Sequence, residues 1–267
     1  MDIKITFGII TSESTSNYLN SIISSIRDQR IDKGSYEILI VGNCNIESSE
    51  EIRVIPFNEN HKNLWITRKK NLITHESKFD IIVYMHDYLS LDENWYSNFI
   101  KFGNDWDLCM NKIVNKDGNR ILDWMGLPDD NIYGNVLFPY SYEGSDGMYI
   151  PGYFWIAKKS VMKEFPMNEE FLWGEGEDIE WSKRVLGGFP PRWLKNLDSF
   201  ESGKIKIKKH RYLMNEFSIV KSLKEKQFHP NFSNTYDLHS GDESRPLESI
   251  SDNYKYLEYR NEKINNI

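Results

Sequence analysis

Apolar and polar positions along the first ninety residues follow two different periods. Ile3 to Ile10 is a mostly apolar run, Leu19, Ile22, Ile23 and Ile26 recur at i, i+3, i+4 and i+7, and Glu37 to Val41 is apolar again up to Gly42-Asn43. Short continuous runs predict strands buried on both faces, and the 3.6-residue recurrence predicts an amphipathic helix, here over 14–30 with a hydroxyl-rich start. A shorter strand is expected over 53–57, a helix over 63–77 and a long buried strand over 81–85. Strands alternating with helices predict an α/β sheet with helices on its faces. In open sheets of this class, ligands collect at the carboxyl ends of the strands. The polar residues at those ends therefore belong together: Thr11 and Glu13, Asn43, and His86 with Asp87.

The second half is less regular. A helix is expected over 92–102, a strand over 107–114, a strand over 149–157 and a short helix over 158–165. Between them, 118–147 is rich in Gly, Pro, Asp and aromatic residues, and a long segment without regular structure usually serves function. The stretch from Phe171 to Arg184 gathers Glu175, Glu177, Asp178 and Glu180 with Trp173 and Trp181 around Gly174 and Gly176. Acids in the first turn of a helix are stabilised by its dipole, and Glu180 with Arg184 is an i,i+4 pair. That account leaves Trp173 and the paired glycines unexplained, whereas a pocket needs an aromatic platform beside a carboxylate. Lys204 to Lys208 alternates like an edge strand and leads into His210, and beyond about 215 the composition turns polar. There is no internal repeat.

With 267 residues, 39% of them hydrophobic and 27% charged, the chain can bury one large core. A formal charge of −7 argues against a nucleic-acid partner. Cys44 and Cys109 have neither metal-site nor disulfide spacing, which fits a reducing cytoplasm. No apolar run approaches about 18 residues and the N-terminus lacks a signal-peptide pattern, so neither secretion nor a membrane span is expected.

The order of parts resembles the family 2-like glycosyltransferases of GT-A fold. Lys70-Asn71-Leu72-Ile73, the strand to Met85 and His86-Asp87-Tyr88 look like that family's RNxG, strand and DxD block, with HDY standing for DxD. Gly152 to Lys159 followed by Glu177-Asp178 looks like its acceptor-side strand and ED motif. The resemblance covers about residues 3 to 212. It implies a GT-A type, Rossmann-like mixed sheet with helices on both faces. A single main domain would span 1–214, with a nucleotide-sugar half (1–90) and an acceptor half (91–214), and 215–267 would be an extension.

The activity implied is that of an inverting hexosyltransferase-like enzyme of polysaccharide biosynthesis. It would move a sugar from a UDP- or GDP-linked donor to a glycan or lipid-linked glycan, in the cytoplasm or peripherally at the inner membrane face. Asp178 matches the general base. Donor contacts fall on Thr11, Glu13, Asn43, Arg68, Asn71, His86 and Asp87, and acceptor contacts on Trp173, Glu177 and Trp124. A divalent cation would take Asp87, His86 and His210, with His239 as a rival to His210; one carboxylate with imidazoles suits Mn²⁺ better than Mg²⁺. One of Arg68, Lys69 and Lys70 could face the diphosphate, although a solvated helix face is the commoner reason for such a run. Two other classes compete: a non-catalytic carbohydrate-binding or scaffold protein that kept the fold, and a nucleotidyltransferase. The latter would want a glycine-rich basic loop after the first strand, and 11–17 has neither property.

Overall fold

The computed structural model describes residues 3–12, 16–62, 65–126, 136–142, 148–188, 190–191 and 194–224. Glu13, His229, His239 and most of 127–147 lie outside them, as does everything after 224. The strands are β1 (Ile5–Ile10), β2 (Tyr36–Val41), β3 (Ile52–Ile55), β4 (Ile81–His86), β5 (Leu89–Leu91), β6 (Leu108–Val114), β7 (Met125–Gly126), β8 (Val136–Leu137), β9 (Met148–Tyr149), β10 (Phe154–Lys158) and β11 (Tyr212–Ser222). The helices are α1 (Leu19–Arg27), α2 (Ile66–Glu76), α3 (Trp95–Phe102), α4 (Lys159–Glu164), α5 (Glu177–Leu186) and α6 (Leu197–Glu201).

Eight strands form one mixed sheet in the order β3-β2-β1-β4-β10-β6-β11-β5, and β8-β7-β9 form a small second sheet. β3, β2, β1 and β4 are mutually parallel, β10 is antiparallel to β4 and β6, and β11 runs parallel to β6. Neighbouring residues of a strand point to opposite faces. On β1, Phe7 meets Trp95 of α3 with ring centroids 5.7 Å apart, and Gly8 meets Ile73 of α2. Helices therefore cover both faces. A Cβ at Gly8 would come within 2.3 Å of Ile73 Cγ2, so the missing side chain is what lets α2 lie this close to the sheet.

Four sequence expectations change. The strand expected over 149–157 is two, β9 in the small sheet and β10 in the main one. The stretch 204–208 is not an edge strand: Lys204, Lys206 and Lys208 are exposed, and the backbone that follows bonds to the end of α5, with Lys208 N–H to Arg184 O at 2.9 Å and His210 N–H to Val185 O at 2.8 Å. The strand β5 and the helix α6 were not anticipated. The boundary at 214 falls inside β11, which continues the main sheet to Ser222. The polar residues there are internal: Asn215 and Ser218 are buried in an irregularity of the strand, and Asn215 Nδ2 donates to Ser218 Oγ at 2.9 Å. Among the described residues, no helix is long and apolar enough to cross a membrane.

Candidate functional site

The registers of β1 with β2 and β4 bring Ile10, Val41 and His86 level, so the polar residues that follow meet at one end of the sheet. Thr11 is buried, and its hydroxyl donates to Asp87 Oδ2 at 2.6 Å. Its carbonyl accepts from Lys69 Nζ at 2.7 Å, and Lys69 also pairs with Glu59. Gly42, at φ +140°, lies so close to Thr11 that a Cβ would be 2.1 Å from its carbonyl oxygen. Beyond it, Asn43 Oδ1 accepts the N–H of Phe57 at 3.2 Å.

On the α2 face of the same strand ends, Gly8, Ile10, Lys70, His86, Gly152 and Trp155 close around a gap too small to hold a water molecule. Lys70 lies one helical turn before Ile73, so the close approach at Gly8 carries it inward. It is 1% exposed, its ammonium stands 4.9 Å from the centre of the Trp155 ring, and that nitrogen has no hydrogen-bond partner. Burial lowers its pKa, and the charges of Glu177 and Asp178 oppose the shift. Nε2 of His86 is likewise buried without a partner. Burial and the charges of Lys70, Lys224 and Lys69 hold His86 well below its usual pKa, so the ring is neutral near pH 7.

The acidic segment closes the other side. Gly174 and Gly176 have φ of +80° and +79°, left-handed conformations that favour glycine, and Gly176 opens α5 by accepting the N–H of Glu180 at 2.9 Å. The half-buried Asp178 is fixed at both oxygens: Oδ2 accepts the N–H of Gly152 at 2.9 Å and Oδ1 that of Ile179 at 2.9 Å. A Cβ on Gly152 would sit 3.2 Å from Asp178 Oδ2 and 3.3 Å from Glu177 Oε1, so this glycine admits both carboxylates. Burial raises the pKa of Asp178, with Lys70 opposing. Burial, then the charge of Asp178, pushes Glu177 up to about 7, again against Lys70. Trp173 is 46% exposed on the loop just before this turn. Glu180 and Arg184 do pair, at 2.7 Å, but in the interior.

Thr11, Asn43, His86 and Asp87 are thus brought to one sheet end, and Asp178 and Glu177 share Gly152 with His86. Other expectations are not met. Arg68 points outward and pairs with Glu169 at 3.0 Å, while Lys69 and Lys70, for which a solvated face was the commoner explanation, are the buried ones. Asn71 uses both ends of its amide to hold Met167, by N–H to Oδ1 at 2.9 Å and Nδ2 to O at 2.9 Å, which braces the chain leading to the acidic loop. Trp124 is 2% exposed, packed against Tyr212, with Nε1 donating to Tyr142 O at 3.1 Å. Glu177 is buried rather than presented to an acceptor. Sequence reasoning gave Lys70 only as one of three basic residues that could face a diphosphate and Gly152 only as the start of a strand, and it passed over Lys224.

The three proposed metal ligands do not assemble. His210 precedes Tyr212, which is level with Ile82 through Leu108 and Ala157, whereas His86 ends β4. At ~3.3 Å per residue this separates the two histidines by about 20 Å along the strands. His210 instead contacts Asp107, Nδ1 to Oδ2 at 3.4 Å, and the edge of Phe165. His86 and Asp87 diverge, one into that closed gap and the other onto Thr11. Among the described residues no three His, Cys, Asp or Glu side chains gather into a site for a metal ion. His86, Asp87 and His210 do not form a donor set for a divalent cation, and the rival His239 lies outside the described residues.

No family model and no curated protein matches the chain. Among solved structures, it is similar to GalNAc-T7 with UDP, GalNAc and Mn²⁺, at a TM-score of 0.57 and 12% identity over 87% of this chain and 46% of that one. S. aureus TarS 1–349 in complex with UDP-GlcNAc matches at a TM-score of 0.48 and 11% identity, over 88% of this chain and 62% of that one. For S. aureus TarS 1–349 alone the values are 0.48, 10%, 79% and 60%. The matched regions span about half to three fifths of those chains. The likeness to GalNAc-T7 fixes the architecture: a mixed α/β fold with flanking helices of the kind found in glycosyltransferases.

Proposed function

We propose that the protein transfers a sugar from a UDP- or GDP-linked donor to a hydroxyl of a glycan or lipid-linked glycan, with inversion at the anomeric carbon. The observation that carries this reading is the half-buried carboxylate of Asp178, held by two backbone amides and sharing Gly152 with His86 at the strand ends. The glycosyltransferase-like fold supports it, and the UDP and GalNAc present in the GalNAc-T7 structure indicate the donor class. In this reaction Asp178 takes the proton of the acceptor hydroxyl as that oxygen bonds to C1. The bond from C1 to the phosphate oxygen breaks, and the nucleoside diphosphate leaves with the electron pair. A raised pKa suits a base working near neutrality. Thr11 and Asn43 flank the donor's nucleoside end, and the exposed Trp173 ring offers an acceptor sugar an apolar face. A lipid-linked acceptor would be met peripherally at the inner face of a membrane.

The scaffold alternative keeps one observation in its favour, the absence of an assembled cation site among the described residues. Release of nucleoside diphosphate, measured over a panel of UDP- and GDP-sugars with glycan acceptors, separates the two. Turnover that disappears in Asp178→Asn supports transfer. Sugar binding without turnover across the panel supports the scaffold.

A further inference from the structure

We propose that Lys70 is a positioning residue for the base: its buried ammonium holds Asp178 as the carboxylate while the proton of the acidic pair stays on Glu177. This rests on the sugar-transfer reading and adds to it the countercharge on which the base depends. Lys70 is 1% exposed, its Nζ has no hydrogen-bond partner, and the Trp155 ring faces it at 4.9 Å. Burying an ammonium is expensive unless hydrogen bonds or an opposite charge compensate. The gap that Lys70 lines with Gly152 is too small for a water molecule, so solvent supplies neither. The ring supplies part of the compensation. The rest comes from across Gly152, where Asp178 Oδ2 and Glu177 Oε1 lie 3.2 Å and 3.3 Å from the place a Cβ would take.

Three ionisable groups thus surround one closed volume. With all three charged it carries a net negative charge, and with one carboxyl protonated it is neutral, the state that a water-free interior favours. Asp178 is the member built to stay charged. Both its oxygens accept backbone amides at 2.9 Å, and hydrogen bonds to a carboxylate favour its ionised form. Burial and then the charge of Asp178 push Glu177 up to about 7, which leaves the proton there. The ammonium acts on Asp178 through space and takes neither of its oxygens. Each oxygen therefore keeps a second lone pair for the proton of an acceptor hydroxyl. The other titratable groups nearby stay uncharged: burial, then the charge of Asp178, holds the Tyr149 phenol of β9 protonated, and His86 across the gap is neutral.

The test is carbon-13 NMR of the side-chain carboxyls in the full chain labelled at Asp and Glu. The two signals are identified by their loss in Asp178→Asn and in Glu177→Gln. At about pH 6 the wild type should show Asp178 ionised and Glu177 protonated. In Lys70→Met, checked for folding by circular dichroism, the titration midpoint of Asp178 should rise by at least about one pH unit. The acidic limb of kcat/KM for sugar transfer should move up with it. An unmoved Asp178 midpoint in folded Lys70→Met overturns the proposal, and so does a wild type in which Asp178 holds the proton or both acids are ionised at that pH. A midpoint that moves while the acidic limb stays in place overturns it too. A midpoint that moves in a chain that turns over no sugar nucleotide overturns the sugar-transfer reading and leaves the charge arrangement standing. Lys70→Gln takes the place of Lys70→Met where the latter does not fold, and the wild-type titration decides alone where neither does.

Discussion

The backbone N–H of Gly152 lies 2.9 Å from Oδ2 of Asp178 and so ties the first turn of α5 to the chain entering β10, the strand beside β4. A carboxylate held this way keeps its direction with or without substrate. Asp178→Asn preserves the volume and removes the proton acceptor. Transfer should fall by about 10² to 10⁴, with the donor Kd and the melting temperature close to wild type. Near wild-type turnover in the purified variant would remove Asp178 from the mechanism.

Glu177 gives a pH-dependent signature. Its pKa rises from 4.5 to about 7 in the fold, chiefly through burial. Between those values the folded chain keeps a proton that the unfolded chain releases, so this group's contribution to stability falls as pH rises through that window and stays low above it. Glu177→Gln has no carboxyl to ionise. Relative to wild type it should gain stability between pH 4.5 and pH 8, on the order of 3 kcal/mol at most. Urea unfolding at the two pH values measures the difference, and a constant difference would mean that Glu177 titrates like an exposed acid.

Trp173 is nearly half exposed, so its removal should leave stability within about 1 kcal/mol of wild type. If its ring carries the acceptor sugar, Trp173→Ala should raise the acceptor KM or lower kcat by about three- to tenfold. The donor Kd should stay within about twofold. Unchanged acceptor kinetics would move the acceptor platform elsewhere.

Gly8 is the point where α2 touches the sheet. Gly8→Ala sets a methyl carbon 2.3 Å from a branched, buried Ile73 side chain that has nowhere to turn. The variant should lose about 1–3 kcal/mol of stability, read from its denaturant midpoint. A variant as stable as wild type would show that α2 can shift without cost.

The first half of the fold was legible because strands buried on both faces are continuous apolar runs, and the strand ends named Thr11, Asn43, His86 and Asp87 directly. Asp178 was legible through its company of glycines and acids. Lys70 was not, because its burial depends on Gly8 and Trp155, remote in sequence, and a run of three basic residues reads as solvated. A signal was present: Ile66, Lys70 and Ile73 share one helical face, which puts a lysine in an apolar stripe. His210 misled for a topological reason. It comes before β11, a strand parallel to β4, and so lies at the amino end, whereas His86 marks the carboxyl end.

β11 also sets an order of events during synthesis. It pairs with β6 and β5, and just past it Leu223 donates to the carbonyl of Tyr88 at 2.8 Å. Ser90 and Lys221, neighbours across β5 and β11, are 131 residues apart in the chain. While the ribosome makes the intervening residues, β6 has one open edge and β5 has no partner, an arrangement prone to pairing with other chains. Lys224 reaches Tyr88 only when that gap is closed, so the surroundings of the carboxyl end of β4 are among the last parts of the described chain to form. Substitutions that slow the docking of β11 should therefore appear first as aggregation of newly made protein, before any loss of stability in molecules that have finished folding.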